Sequence, residues 1–195
     1  MIRGVFAAWS LCCIAAVALA DEQPVHCYAG GADSGKLEFR FALDGREFDG
    51  HFNAFSVHYC MPEADPGAGN IEVEVELDSV ETGNRERDST LRGPDFFDVA
   101  AHPVSRWRST EVTALDSGGW RADGVLELKG REGTQAIRFD LSEQADRLHL
   151  VGRFTMTGEA RVHRLAFDVG TGEFADPDFI RDAVDVRFDV RLSRD

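Results

Sequence analysis

Past its first 20 residues the sequence has almost no helical periodicity, no CxxC pair, no paired histidines and no G-x-S-x-G elbow. Each absence removes a class of function. Without CxxC, thiol redox chemistry has no motif to run on. The six histidines are scattered with no i, i+4 or H-x-H spacing, so they offer no zinc site. His51 and His58 are seven apart and fall on opposite faces of an extended chain. Lacking an elbow or a Cys–His pairing, the serines (Ser79, Ser89, Ser105 and Ser109) read as turn and strand-surface residues, and no enzyme is expected. Positive charge is also scarce. The chain holds 35 acidic against 21 basic residues, net −14. Such a chain is repelled by nucleic-acid phosphates and by anionic headgroups, which excludes a nucleic-acid partner and a purely electrostatic membrane dock.

What is present begins with a leader. Arg3 supplies a positive start, Val5 to Val17 is nearly continuous apolar sequence, and Ala18-Leu19-Ala20 is an A-x-A cleavage site before Asp21. The apolar run is short for a membrane span and no basic cluster stops it. Residues 1–20 therefore read as a cleaved secretory signal, against the plainer alternative of an uncleaved anchor. Cys12 and Cys13 leave with it. Cys27 and Cys60 remain, an even count for an oxidising compartment. They form a disulfide closing roughly 30 residues, a gain of about 3 kcal/mol, or stay as two buried thiols.

The remaining chain, about 175 residues, is one domain in size. It alternates with period 2 almost throughout. Leu37, Phe39, Phe41 and Leu43 interleave with Glu38, Arg40 and Ala42, and Asp44-Gly45 turns the chain toward Phe48, Gly50 and Phe52. Ile71 to Asp78 is the clearest strand, with a β-branched face inward and four carboxylates outward that have no evident basic partners. Val104 to Thr113, a hairpin of 120–129 with 136–141 through 130–133, Leu148 to Met156, and Val184 to Leu192 continue the pattern. Single helical turns are expected near Arg85 to Leu91 and Asp176 to Ile180. Eight or nine strands at hairpin spacing, amphipathic at both ends of the chain, fit a closed antiparallel barrel or a two-sheet sandwich.

One stretch is not a strand. Ser79 to Pro103 is too long for an idle connection. It contains the turn signal Thr82-Gly83-Asn84, the adjacent charges Arg87-Asp88, and two phenylalanines, Phe96 and Phe97, where loops are usually polar. Those rings are spent on something apolar: the stretch closes over a cavity or plugs a core.

The spacing Ser79-x-x-Thr82-Gly83-Asn84-x-x-Arg87-Asp88-x-x-Leu91-x-x-x-Asp95-Phe96-Phe97-Asp98, with Pro103 following, resembles the signature of the YceI-like family. Gly50-x-Phe52-x-x-Phe55, Gly124-x-Leu126-x-Leu128-x-Gly130 and Arg164-x-x-Phe167-x-Val169-Gly170-x-Gly172-Glu173 are similar to its flanking segments. The resemblance covers most of Leu37 to Leu192. Ala42, Thr90 and Met61 depart from the family's two histidines and one acid, departures that bear on headgroup contacts rather than on fold.

The resemblance implies an all-β, antiparallel, eight-stranded lipocalin-like barrel with one or two short helical turns. It places a barrel domain at 36–195 after an N-terminal segment at 21–35. It implies a periplasmic protein that holds a long apolar lipid in its lumen: a polyisoprenoid, an isoprenoid quinone or a fatty amide. No cofactor is expected beyond such a ligand. The candidate ligand contacts are Phe39, Phe41, Phe52, Leu77, Phe96, Phe97, Trp107, Leu126, Phe139 and Phe154, with Arg87 and Asp88 as the polar pair. Each apolar one serves a packed core equally well, so a hollow lumen rests on the resemblance and not on their number. Arg87 is read at the mouth meeting a pyrophosphate or quinone oxygen, or, as the favoured reading, the pair ties the loop to a neighbouring strand. The rival function is a ligand-free accessory module for a membrane cytochrome b, suggested by Gly170-x-Gly172-Glu173-Phe174 and requiring a lumen packed solid. A hydrolase using Asp88 with a histidine is the weakest reading. A transient contact with a membrane or membrane cytochrome, and a homodimer, complete the expected partners.

Overall fold

The computed structural model describes residues 25–62, 65–142 and 152–195. The leader and the Leu148–Leu150 part of one expected strand lie outside them. The described strands are β1 (Val25–Gly31), β2 (Gly35–Leu43), β3 (Arg46–Phe52), β4 (Phe55–Pro62), β5 (Asn70–Glu76), β6 (Val80–Glu81), β7 (Val104–Ala114), β8 (Trp120–Leu128), β9 (Arg131–Ser142), β10 (Arg153–His163) and β11 (Ala183–Arg194). One helix, α1 (Arg85–Arg92), and short 3-10 turns complete them.

These strands are eight staves. β1 and β2 are two halves of one bent stave, and β3 and β4 are two halves of the next, because β1 pairs with β4 while β2 pairs with β3. β5 and β6 are likewise split by a 3-10 turn at Leu77–Ser79 and pair with β4 and β3. Each stave then pairs with its antiparallel neighbour through β7, β8, β9, β10 and β11. β11 returns to the first stave, pairing Asp185–Val190 with β2 and Ser193 and Arg194 with β1. That seam closes the sheet, so the barrel and not the sandwich is the fold. Closure leaves the amphipathic end staves with no free edge.

Two glycines let large rings lie flat on the inner wall. Gly50 leaves room for the ring of Phe39, and Gly124 for the indole of Trp107, where any Cβ would collide. The extra residue Thr110 makes a bulge between β7 and β8.

Three expectations change. Residues 25–31, expected within an N-terminal segment, form half of the first stave and so belong to the barrel. The β8–β9 hairpin turns at 129–130, with Lys129 and Gly130 both left-handed, and β9 begins earlier than its hydrophobic pattern. The β5 carboxylates do have partners: Glu74 meets Arg106 at 2.7 Å and Glu72 meets Arg108 at 3.7 Å across the β5–β7 pair. The turn expected at 176–180 is present, closed by the Ile180 N–H donating to the Asp176 carbonyl at 2.9 Å. Cys27 and Cys60 face each other across β1 and β4 with Cα atoms 4.0 Å apart and are joined as a disulfide.

Inside, the barrel has two halves. Toward Tyr28, Tyr59, Ile71 and Leu192, all fully buried, side chains fill the interior. Phe154 packs edge-on against Tyr28 and Tyr59 at 4.9 and 6.2 Å, and Phe139 against Tyr59 at 6.2 Å. Tyr59 closes this end by donating its hydroxyl to the Pro66 carbonyl at 2.8 Å. Burial holds that phenol well above its ordinary pKa.

Candidate functional site

The other half is hollow. A cavity of about 530 Å³ opens between α1, the 93–103 segment and the 164–182 segment, and runs down among β2, β5, β7, β8, β10 and β11. Val73, Val75, Leu126, Ala160 and Val186 face inward yet stay only partly buried, the mark of a space they do not fill.

Alternation explains the wall. On β2 every second side chain (Leu37, Phe39, Phe41, Leu43) lines the cavity, and Val184, Val186 and Phe188 do the same on β11. Phe39 sits 6.1 Å from Phe41 and 5.3 Å from Phe52, and Phe52 reaches Phe97 at 5.9 Å. A continuous aromatic row thus runs from the mouth inward. The few polar groups on the wall are spent on backbone. Ser105 donates to the Glu127 carbonyl at 2.8 Å, and the Trp107 indole N–H donates to the Gln135 carbonyl at 3.0 Å. What remains facing the space is overwhelmingly apolar.

Two loops form the mouth. Asn84 caps α1 by accepting from the Arg87 N–H at 3.0 Å, after Gly83 turns the chain in the left-handed region. Arg92 docks the helix by donating to the carbonyls of Asp78 and Val80 at 2.8 and 2.7 Å. Beyond it Phe97 donates its N–H to the Leu91 carbonyl at 3.0 Å, which turns both rings inward. The second loop is tied by Arg164, only 4% exposed. Its guanidinium donates to the carbonyls of Val169, Gly170, Ile180 and Arg181 at 2.8, 3.0, 2.6 and 3.2 Å. Burial lowers its pKa, and the charge of Asp182 partly offsets that. Burial would raise Asp182, but the Leu165 N–H at 2.9 Å and His163 at 2.7 Å outweigh it, and its pKa is lowered. Phe96 meets Phe174 at 5.0 Å, and the N–H groups of Gly170 and Thr171 donate to the Asp95 carbonyl at 2.7 and 2.9 Å, joining the two loops.

Of the residues chosen from the sequence, Phe39, Phe41, Phe52, Leu77, Arg87, Phe96, Phe97, Trp107 and Leu126 line the cavity. Phe139, Phe154 and Asp88 do not. The two phenylalanines share the inward phase but lie at the filled end. Asp88, buried, accepts from both the N–H and the hydroxyl of Thr82. Arg87 donates to the same residue, to its Oγ1 and its carbonyl, each at 2.8 Å. Neither charge pairs with the other directly; both hold Thr82, and Arg87 also rests 4.8 Å above the ring of Phe48 at the mouth. Sequence reasoning missed the whole 164–182 wall, where Val169, Phe174, Phe179 and Ile180 reach the cavity. No candidate contact comes from β11 either, although its alternation is plain and Val184, Val186 and Phe188 line the cavity.

Residues 32–192 match the model of the YceI-like domain. A UPF0312 protein of Pseudomonas aeruginosa is 36% identical over 113 residues, 56% of this chain and 58% of that protein. Another from Pectobacterium atrosepticum is 36% identical over 105 residues, 53% of each. The matched stretch thus spans a little over half the length of these relatives. Among solved structures, Burkholderia cenocepacia BcnA superposes with a TM-score of 0.72 at 23% identity, covering 80% of this chain and 95% of that one. A polyisoprenoid binding domain from Saccharophagus degradans superposes with a TM-score of 0.65 at 14% identity, covering 88% and 100%. At those identities the likeness is one of fold.

Proposed function

This chain belongs to the YceI-like family, and on that premise we propose that its hollow half binds a long-chain apolar lipid, an isoprenoid or fatty chain, as a carrier in the periplasm. The observation that carries the reading is the cavity of about 530 Å³, apolar inside and open at one end of a barrel whose other end is filled. A void of that size left to water exposes a wall of phenylalanine, leucine and valine. Each methylene moved from water onto such a wall gives about 0.8 kcal/mol, so the tail supplies the affinity and the mouth needs only a weak polar contact. Arg87, half-buried there and facing the cavity, is placed to make it. The solved polyisoprenoid binding domain of the same fold supports this class of ligand.

The ligand-free cytochrome module is the weaker reading, because it needs no cavity. The segment that suggested it turns inward: Phe174 packs on Phe96 and Gly170 bonds to Asp95. Native mass spectrometry of the chain purified from a bacterial host tests the proposal. The expected result is an adduct with the mass of an apolar lipid, extractable into organic solvent. A bare mass, together with no thermal shift on adding a prenyl quinone, would overturn it.

A further inference from the structure

Resting on that reading, we propose that the lumen is a length gauge, admitting about 15–20 carbons of a chain tail first and leaving the remainder of any longer chain outside. The floor is the first observation. Val57, Trp107, Ile137 and Met156 belong both to the cavity wall and to the packed cluster beneath it. Below them Tyr28, Tyr59 and Leu192 are fully buried. The tail therefore meets a closed end.

Depth is the second. On β2 the cavity extends from Leu37 to Leu43 and on β10 from Met156 to Val162. Six rises of about 3.3 Å on a stave tilted by about 40° give a depth of about 15 Å. Bonds of about 1.5 Å advance an extended hydrocarbon by about 1.25 Å each, so that depth takes about 12 bonds, the length of three isoprene units. Volume agrees. At the roughly 30 Å³ that a water-sized group occupies in a liquid, 530 Å³ holds about 18 carbons. A chain of eight isoprene units would have more than half its length outside the barrel, where it gains no burial.

The test is a titration of the chain with ubiquinones of one, two, four and eight isoprene units, one headgroup on four tails. Affinity is expected to rise about tenfold or more per added unit up to three or four units, since one methylene alone is worth about fourfold. Four and eight units are then expected to bind within about threefold of each other. Ala160→Phe, which fills empty space at mid-depth and creates no cavity, is expected to bring the plateau down to about two units. Eight units binding tenfold tighter than four, or Ala160→Phe weakening every member equally, overturns the gauge while leaving lipid binding intact. Failure of all four to bind overturns the gauge and the binding reading together.

Discussion

The two halves of the barrel are built from the same staves with the same alternation, yet one is filled and the other hollow. The filled half has Tyr28, Tyr59, Phe139 and Phe154 in edge-to-face contact, with a tyrosine hydroxyl and a 3-10 turn sealing it. In the hollow half Val73, Val75, Leu126, Ala160 and Val186 face a space they do not fill, and the rings of Phe39 and Trp107 lie against the wall over Gly50 and Gly124. The difference teaches that a barrel divides its interior between stability and function by whether the side chains at each level meet across it. The filled end carries the fold, so the open end is free to stay empty.

Substituting one ring in each half breaks the comparison most sharply. Phe154→Ala is expected to cost about 3–5 kcal/mol in stability, by lost burial plus the cavity left behind. Phe52→Ala, facing space already present, is expected to cost about 1–2 kcal/mol while weakening lipid binding more than Phe154→Ala does. Urea unfolding and a ligand titration on both variants measure this, and equal stability losses would contradict the division. Next in size is the disulfide, which ties β1 to β4 where β1 has only two register pairs with β11. Reduction is expected to cost about 4 kcal/mol in the loop-entropy model, read as a lower denaturation midpoint with dithiothreitol. Asp88→Ala strands the Thr82 N–H and hydroxyl and is expected to cost about 1–3 kcal/mol. Asp88→Asn, which keeps an acceptor, is expected to fall between it and the parent.

The distinction between the halves was only partly legible in the sequence. Alternation shows which face of a strand points inward, and it identified the staves, the aromatic row and the inward phase of Phe139 and Phe154. It carries no information on height along the barrel axis. Phe139 and Phe154 therefore looked the same as Phe39 and Phe52, although one pair packs the floor and the other walls the cavity. The signature around Thr82 and Arg87 located one side of the mouth. The other side, 164–182, has no period to read; it is held by a buried arginine on four carbonyls, an arrangement visible only once the chain is folded. The partners of Glu72 and Glu74 arrive from β7, across the long connection, and were invisible for the same reason.

The smallest expected effect is one of pH, confined to the hollow half. Asp182 is held below its ordinary pKa by the Leu165 N–H and by His163. A lowered carboxylate stabilises the fold above its ordinary value and loses that contribution as pH falls through the lowered one, so the effect belongs below about pH 4. The Leu165 amide resonance is expected to move there, and in Asp182→Asn to lack that titration.

Two tryptophans report directly on the central claim. Trp107 lines the cavity and Trp120 packs with the filled half. In Trp120→Phe, two-unit ubiquinone is expected to quench Trp107 saturably at one equivalent. In Trp107→Phe, quenching of Trp120 is expected to be much weaker. Equal, linear, unsaturating quenching of both tryptophans would mean that the quinone does not enter the lumen, and would contradict the account.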